Sequence, residues 1–169
     1  MSDKPKYRIG LLLFLVVISG WLASVRVYSL LTDSALRKVD NASLALFAQK
    51  IAATDHIIAI KQIPPSHRLI SLTLTGEDAR RFVQAVSSGK ADRATYSNIW
   101  SVKATFFKGT NALGEIMTDG ELFLADGRQY KDGSYKEDGI RGSGILRDLV
   151  YKPLGEAVQE AEMKELETK

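Results

Sequence analysis

Residues 68–89 read RLISLTLTGEDARRFVQAVSSG and contain a strand pattern followed at once by a helix pattern. In residues 68–75 apolar and polar side chains largely alternate, which is the period of a β-strand with one buried face. Thr75 then supplies an N-cap, acidic residues follow in the first turn, and Gly89 supplies a C-terminal cap. Between the caps, a stripe of apolar residues recurs at helical spacing: Ala79, Phe82, Val83 and Val86. The stretch therefore predicts a strand and an amphipathic helix that covers one face of a sheet.

The other strand patterns are joined by short turns, which favours an antiparallel sheet. Residues 56–63 (HIIAIKQI) are rich in Ile and lead through a Pro-containing loop to the strand at residues 68–75. Asp119-Gly120 and Asp126-Gly127 are turn sequences of the tight hairpin type, because both residues tolerate positive φ. The remaining strand segments are residues 98–107, 112–118 and 121–125, with 128–130 as a last short strand. We therefore expect an α+β fold with an antiparallel sheet of about five strands and helices packed on one face.

An uncharged apolar run near the N-terminus predicts a membrane-inserted helix. Residues 9–25 read IGLLLFLVVISGWLASV, and beyond Arg26 the apolar character continues to residue 31. This length reaches the roughly 17–25 residues that cross the hydrocarbon core of a bilayer as a helix. A cleaved signal peptide has the same basic start and apolar middle, but cleavage after Ala23 would leave Trp21 where a small residue is needed. We therefore predict that residues 9–31 are a single transmembrane signal-anchor that precedes the sheet, with cleavage and secretion as the alternative.

The flanking charges and the long C-terminal part determine the expected orientation and domain organisation. Residues 1–8 form a short basic tail, and long folded domains translocate largely regardless of charge. We therefore expect the N-terminus inside a bacterial-type cytoplasmic membrane and the folded domain outside it. Residues 32–55 are predicted to be a stalk or packing helix, residues 56–152 the α+β soluble domain, and residues 153–169 a charged C-terminal helix.

Composition and motifs argue against several kinds of site. The chain has no cysteine, which removes disulfides, thiolate metal sites and a cysteine nucleophile. Its net charge is only +3, and its Lys and Arg residues are scattered, which disfavours nucleic-acid binding. The sequence has neither a phosphate-binding glycine loop nor the serine elbow of a hydrolase. We therefore expect no cofactor, no metal and no nucleic-acid partner.

Two groups of polar residues are better explained by structure than by chemistry. The aspartates with spacing reminiscent of a calcium loop are Asp119, Asp126, Asp132 and Asp138. All four precede Gly, which is typical of turns. His56 follows Asp55, but adjacent residues in a strand point to opposite faces, so we do not expect this pair to form a hydrogen bond. Neither group predicts a metal or catalytic site.

The aromatic residues are the feature that most favours a binding surface. Phe106 and Phe107 are adjacent in a strand, so one ring lies on each face of the sheet. The ring that the helix at residues 76–88 does not cover needs the C-terminal helix or a partner protein against it. The long loop 131–144, rich in Gly and in charges of both signs, is a second candidate surface. The interaction candidates that follow are Phe107, Tyr130, Tyr135 and Arg141.

These observations together favour a non-enzymatic function. We expect a single-pass membrane protein, in contact with the bilayer through residues 9–31, whose outer domain binds or scaffolds another protein. One alternative is an inhibitor or immunity-type protein that occludes a partner enzyme. A second alternative is a small enzyme with its site in the loop 131–144.

Overall fold

The structure of the protein, a computed structural model, describes residues 4–63, 68–92, 101–136 and 144–167. The chain divides into two compact units, Met1–Val39 and Asp40–Lys169. The helices are α1 (Lys4–Ile51), α2 (Gly76–Ser87) and α3 (Lys152–Glu167), and a π-helical turn, Arg147–Tyr151, precedes α3. The strands are β1 (His56–Ile63), β2 (Arg68–Thr75), β3 (Lys90–Ala91), β4 (Val102–Lys108), β5 (Asn111–Thr118), β6 (Leu122–Ala125) and β7 (Arg128–Lys131).

The described residues of the first unit all lie in helix α1, which contains the segment predicted to be a membrane anchor. Within the part of the chain that the structure describes, no helix is both long and apolar enough to cross a membrane. The side chains of residues 9–13 and of residue 15 lie outside the described ones. The transmembrane helix over residues 9–31 is therefore not supported by the structure and stays a prediction from the sequence.

The strands form one antiparallel sheet, which confirms the α+β prediction. Their order is β2-β1-β4-β5-β6-β7-β3, so the sheet has seven strands where the sequence predicted about five. At its far end, the short strand β7, which the sequence predicted at residues 128–130, pairs with β6, and the two-residue strand β3, which the sequence did not predict, pairs with β7. In β3, Lys90 lies opposite Lys131 and Ala91 lies opposite Tyr130.

All described helices of the second unit contribute to one side of the sheet, which we call the inner face. Strand β4 presents Val102, Ala104 and Phe106 to this face, and all three are fully buried. Phe47 of α1 meets Phe106 edge-on at 6.0 Å between ring centroids, and Phe82 of α2 lies 5.8 Å from the same ring. The core of the domain therefore forms where α1 and α2 converge on Phe106.

The C-terminal helix joins the same layer over β1 and β2. Leu154 and Val158 of α3 are buried, so this charged helix has an apolar side that packs in the core. Lys61 of β1, which lies beside Val102, holds its ammonium 4.7 Å from the centre of the Tyr151 ring. The π-helical turn ends at Tyr151, two residues before Pro153. The backbone nitrogen of Pro153 carries no hydrogen, so it cannot donate a helical hydrogen bond to this turn.

The last turns of α1 pack on the sheet. Leu44, Phe47 and Ile51 are buried, whereas Leu46 is 68% exposed. Gly114 of β5 permits this approach, because a Cβ there would lie 2.8 Å from the Phe47 ring.

Candidate functional site

The side of the sheet opposite the described helices forms a continuous surface, which we call the outer face. Directly paired residues of neighbouring strands share a face, so the register defines rows of side chains across it. The first row is Thr75, His56, Phe107 and Ala112. The second row is Thr73, Ile58, Thr105 and Glu115. The third row is Ser71, Ile60, Lys103, Met117, Leu124 and Gln129.

The outer face mixes partly exposed apolar side chains with charges. Met117 is 36% exposed, and Ile60 and Leu124 are half-buried beside it in the third row. Lys103 and Glu115 form an ion pair of 2.6 Å with both side chains about half exposed, which contributes little to stability. An antiparallel sheet can leave one face in solvent, and apolar groups ringed by charges on such a face are typical of a protein-binding surface.

One end of the outer face is built around Phe107. Its ring stacks on the His56 ring at 5.1 Å between centroids with an interplanar angle of 8°. Next to it, the amide of Asp55 donates to the carbonyl of Phe107, and the amide of Gly109 donates to Asp55 Oδ2 at 2.7 Å. Asp55 Oδ1 is hydrogen-bonded to His56 Nδ1. These bonds hold the aromatic pair in one orientation at the corner where β1 meets the β4–β5 turn.

The expectation that Asp55 and His56 form no hydrogen bond is wrong. It treated both residues as members of one strand, but β1 begins at His56. Asp55 lies before the strand, so its side chain need not point to the opposite face, and its carboxylate reaches the His56 imidazole. The Gly109 amide lowers the pKa of the Asp55 carboxyl, and the His56 bond lowers it further. The Asp55 carboxylate therefore binds both the β4–β5 turn, through Gly109, and the His56 imidazole. The other histidine, His67, lies outside the described residues.

A notch in the sheet opens next to the third row. Strands β5 and β6 pair only through Met117–Leu124 and Thr118–Phe123, and then they diverge. Among the described residues no strand lies beside residues 112–116 on that side, so alternate backbone groups of β5 face the notch. The space measures about 360 Å³, and its lining residues are Lys50, Gly114, Glu115, Ile116, Met117, Leu124, Asp126 and Gly127.

Two of the interaction candidates from the sequence, Phe107 and Tyr130, lie on opposite faces of the sheet. Phe107 is on the outer face, as the alternation of Phe106 and Phe107 predicted. Tyr130 is on the inner face and 1% exposed; its ring stacks on Phe123, and its hydroxyl donates to the carbonyl of Asp40 at 3.0 Å. Burial raises the pKa of the Tyr130 hydroxyl. Its position makes Tyr130 a core residue of the domain.

Of the two candidates from the loop 131–144, the structure describes one. Tyr135 is half-buried, and the Lys131 ammonium lies 4.5 Å from the centre of its ring. Arg141, within residues 137–143, lies outside the described residues. The outer face therefore keeps Phe107 as its sequence-predicted aromatic residue.

The aspartates of the predicted turns have structural roles. Asp119 Oδ1 accepts hydrogen bonds from the amides of Glu121 and Leu122, and Asp126 adopts a φ of 48° before Gly127. Asp132 is buried, and its two carboxylate oxygens accept bonds from Ser134 and from the amide of Leu146. Within the described ranges, no group of three or more acidic or histidine side chains is placed to hold a metal ion. Asp138 is not among the described residues.

In comparisons with known proteins, no family model matches this chain, and neither a curated protein nor a solved structure matches it.

Proposed function

We propose that the protein is a single-pass, membrane-anchored binding protein whose extracytoplasmic α+β domain binds or scaffolds another protein, without catalysis. The observation that carries the proposal is the outer face, which combines partly exposed apolar side chains with an aromatic pair in a fixed orientation. In protein interfaces, aromatic and Met side chains in a polar surround are the enriched residue types.

The construction of the outer face supports binding in a second way. Its side chains project from hydrogen-bonded strands whose register is unbroken between β1, β2 and β4 and shifts once between β4 and β5, at Phe106 and Phe107, so little backbone ordering is needed when a partner binds. Phe107 is held by its stack on His56, and the Asp55 bonds hold the carbonyl of Phe107 and the amide of Gly109. A pre-ordered aromatic ring is a suitable anchor for a partner because its side-chain entropy is already lost.

The membrane anchor is part of the proposal and rests on the sequence. The apolar run of residues 9–25, with the basic tail before it, supports insertion with the N-terminus inside. Alkaline extraction of membranes tests the insertion: an anchored chain stays in the pellet, and a chain released into the supernatant would contradict the anchor. Protease treatment of intact cells then tests whether the folded domain is outside.

Binding is tested with the full chain, purified in mild detergent and used to capture partners from solubilised membranes. We expect Phe107→Ala and Met117→Glu to weaken partner binding at least about tenfold, because both remove apolar contact from the outer face. Met163→Glu is the matched control, since Met163 is an exposed methionine on α3, the helix that packs on the inner face. The thermal midpoints should stay close to that of the unaltered chain.

Two results would contradict the proposed binding surface. Either the three variants capture the partner equally well, or the full chain captures no stoichiometric partner and turns over a substrate. Capture of a hydrolase would favour the alternative in which the protein inhibits a partner enzyme.

A further inference from the structure

The first edge of the sheet is a long strand without the features that normally block further strand pairing. β2 runs from Arg68 to Thr75 in unbroken register with β1, and no described strand lies on its other side. Natural edge strands are usually protected by charges, Pro or bulges, and residues 69–75 contain no charge or Pro. The register shift in this sheet lies between β4 and β5. The opposite edge, β3, is only two residues long.

The side chains of β2 are complementary to a second β2 strand in antiparallel orientation. A continuous sheet across a two-fold axis requires that paired residues share a face. When Leu72 lies opposite Leu72 of a second copy, Ile70 lies opposite Leu74, and the apolar inner row continues across the junction. On the outer face, Ser71 then lies opposite Thr73, so hydroxyl groups meet hydroxyl groups.

The charges at the ends of β2 favour the same register. In that register Arg68 lies opposite Gly76 of the second copy, next to the acidic first turn of α2 with Glu77 and Asp78. Glu77 is engaged with Arg80 of its own helix at 2.9 Å, with both side chains mostly exposed, and such surface pairs rearrange at little cost. A register centred on Ser71 would instead place the Arg68 guanidinium opposite Leu74.

The helix layer leaves space at this edge. A cleft of about 240 Å³ lies between Arg68 and the α3 residues Ala157, Glu160, Ala161 and Lys164. Two of the four α3 residues that line it, Ala157 and Ala161, are small, so α3 leaves space beside Arg68 at the start of β2.

We propose that β2 pairs antiparallel with β2 of a second copy of this chain, with Leu72 opposite Leu72, so that two sheets join into one. This interface is separate from the outer-face residues Phe107 and Met117 that carry the proposed binding function. A dimer formed this way presents two outer faces on the same side of one extended sheet.

The absence of cysteine makes cross-linking a direct test of the register. Single-cysteine variants of the full chain in mild detergent are oxidised and compared on a non-reducing gel. We expect Leu72→Cys to form a disulfide-linked dimer, since residues directly opposite in paired strands are close enough for a disulfide with small backbone adjustment. Ser71→Cys alone should cross-link at least about tenfold more slowly, whereas a mixture of Ser71→Cys and Thr73→Cys chains should form the mixed dimer.

A charge at the edge of β2 tests the dimer without any cysteine substitution. Thr73→Lys adds a charge to the exposed outer side of the edge, and we expect a shift from dimer to monomer by light scattering with a dissociation constant at least about tenfold higher. Thr105→Lys is the matched control on the same face of the interior strand β4, and it should leave the dimer unchanged.

The proposal is overturned by any of three results. The unaltered chain is monomeric at micromolar concentration, Ser71→Cys cross-links as fast as Leu72→Cys, or Thr105→Lys dissociates the dimer as strongly as Thr73→Lys does.

Discussion

Replacing Asp132 by Ala should destabilise the domain strongly, because this carboxylate joins the end of β7 to the start of the C-terminal helix. Asp132 is 4% exposed. Its Oδ1 accepts from the amide and hydroxyl of Ser134 at 2.8 and 2.7 Å, and its Oδ2 accepts from the amide of Leu146 at 3.0 Å. A Cβ on Gly144 would lie 2.7 Å from Oδ2, so only Gly lets the chain approach this closely.

The expected magnitude follows from what each donor does after the change. The Leu146 amide is buried and loses its partner outright, which costs about 1–3 kcal/mol, more when the partner carried a charge. The Ser134 donors are only half-buried and can bind water instead, so they contribute less. We expect Asp132→Ala to lower the free energy of unfolding by about 3 kcal/mol, which corresponds to roughly 10 °C in thermal midpoint for a domain of this size.

Asp132→Asn separates the two carboxylate oxygens. The amide keeps one acceptor for Ser134 but presents an NH₂ group to the Leu146 amide, so we expect about half the loss. Urea unfolding of the full chain in mild detergent, followed by near-ultraviolet circular dichroism, measures both changes. Asp126→Asn is the control, because Asn tolerates the left-handed conformation of this exposed turn. If Asp132→Ala costs less than about 1 kcal/mol, the carboxylate does not hold the helix in this way.

Three further predictions test other parts of the domain. The pKa of Asp55 lies below its ordinary value of 3.8 in the folded state, so its contribution to stability is complete above that pH and disappears as the pH falls through the folded pKa. Asp55→Asn should therefore be less stable than the unaltered chain at pH 5, and the difference should shrink as the pH falls below 3.8, which thermal melts across this range would measure. Gly114→Ala should cost about 1–3 kcal/mol because its Cβ would collide with the Phe47 ring, whereas Gly155→Ala in α3 should stabilise by about 0.5–1 kcal/mol in the same urea assay. Tyr130→Phe should cost about 1 kcal/mol through the lost bond to α1, and an equal midpoint for both proteins would contradict that role.

The elements with a strong local period were predictable from the sequence. Strands β1 and β2 have the bounds that the Ile-rich and alternating patterns predicted, and α2 ends within a residue of its prediction. In each case the period of the apolar residues matches the geometry of the element, and Thr75 and the Gly turns mark its limits. β3 was missed because two residues carry no period; this strand exists through its pairing with β7, which is distant in sequence.

The candidate site was predictable only where it depends on alternation. That Phe106 and Phe107 lie on opposite faces follows from the strand period, but the burial of Tyr130 does not, because it depends on how α1 crosses the sheet. The Asp55–His56 bond was missed because the exact start of β1 decides it. The notch has no local signal at all, since it arises where β5 and β6 diverge after two residue pairs.

The contacts at the start of the second unit determine where a force applied along helix α1 first reaches the sheet. Asp40 accepts the Tyr130 hydroxyl through its carbonyl and pairs with Arg128 through its carboxylate, and Asn41 Oδ1 accepts the Ala91 amide. A pulling force that enters the domain through α1 reaches these bonds before it reaches Phe47 and Ile51. The end of the sheet formed by β7 and β3 would therefore be the first part of the sheet to receive that force.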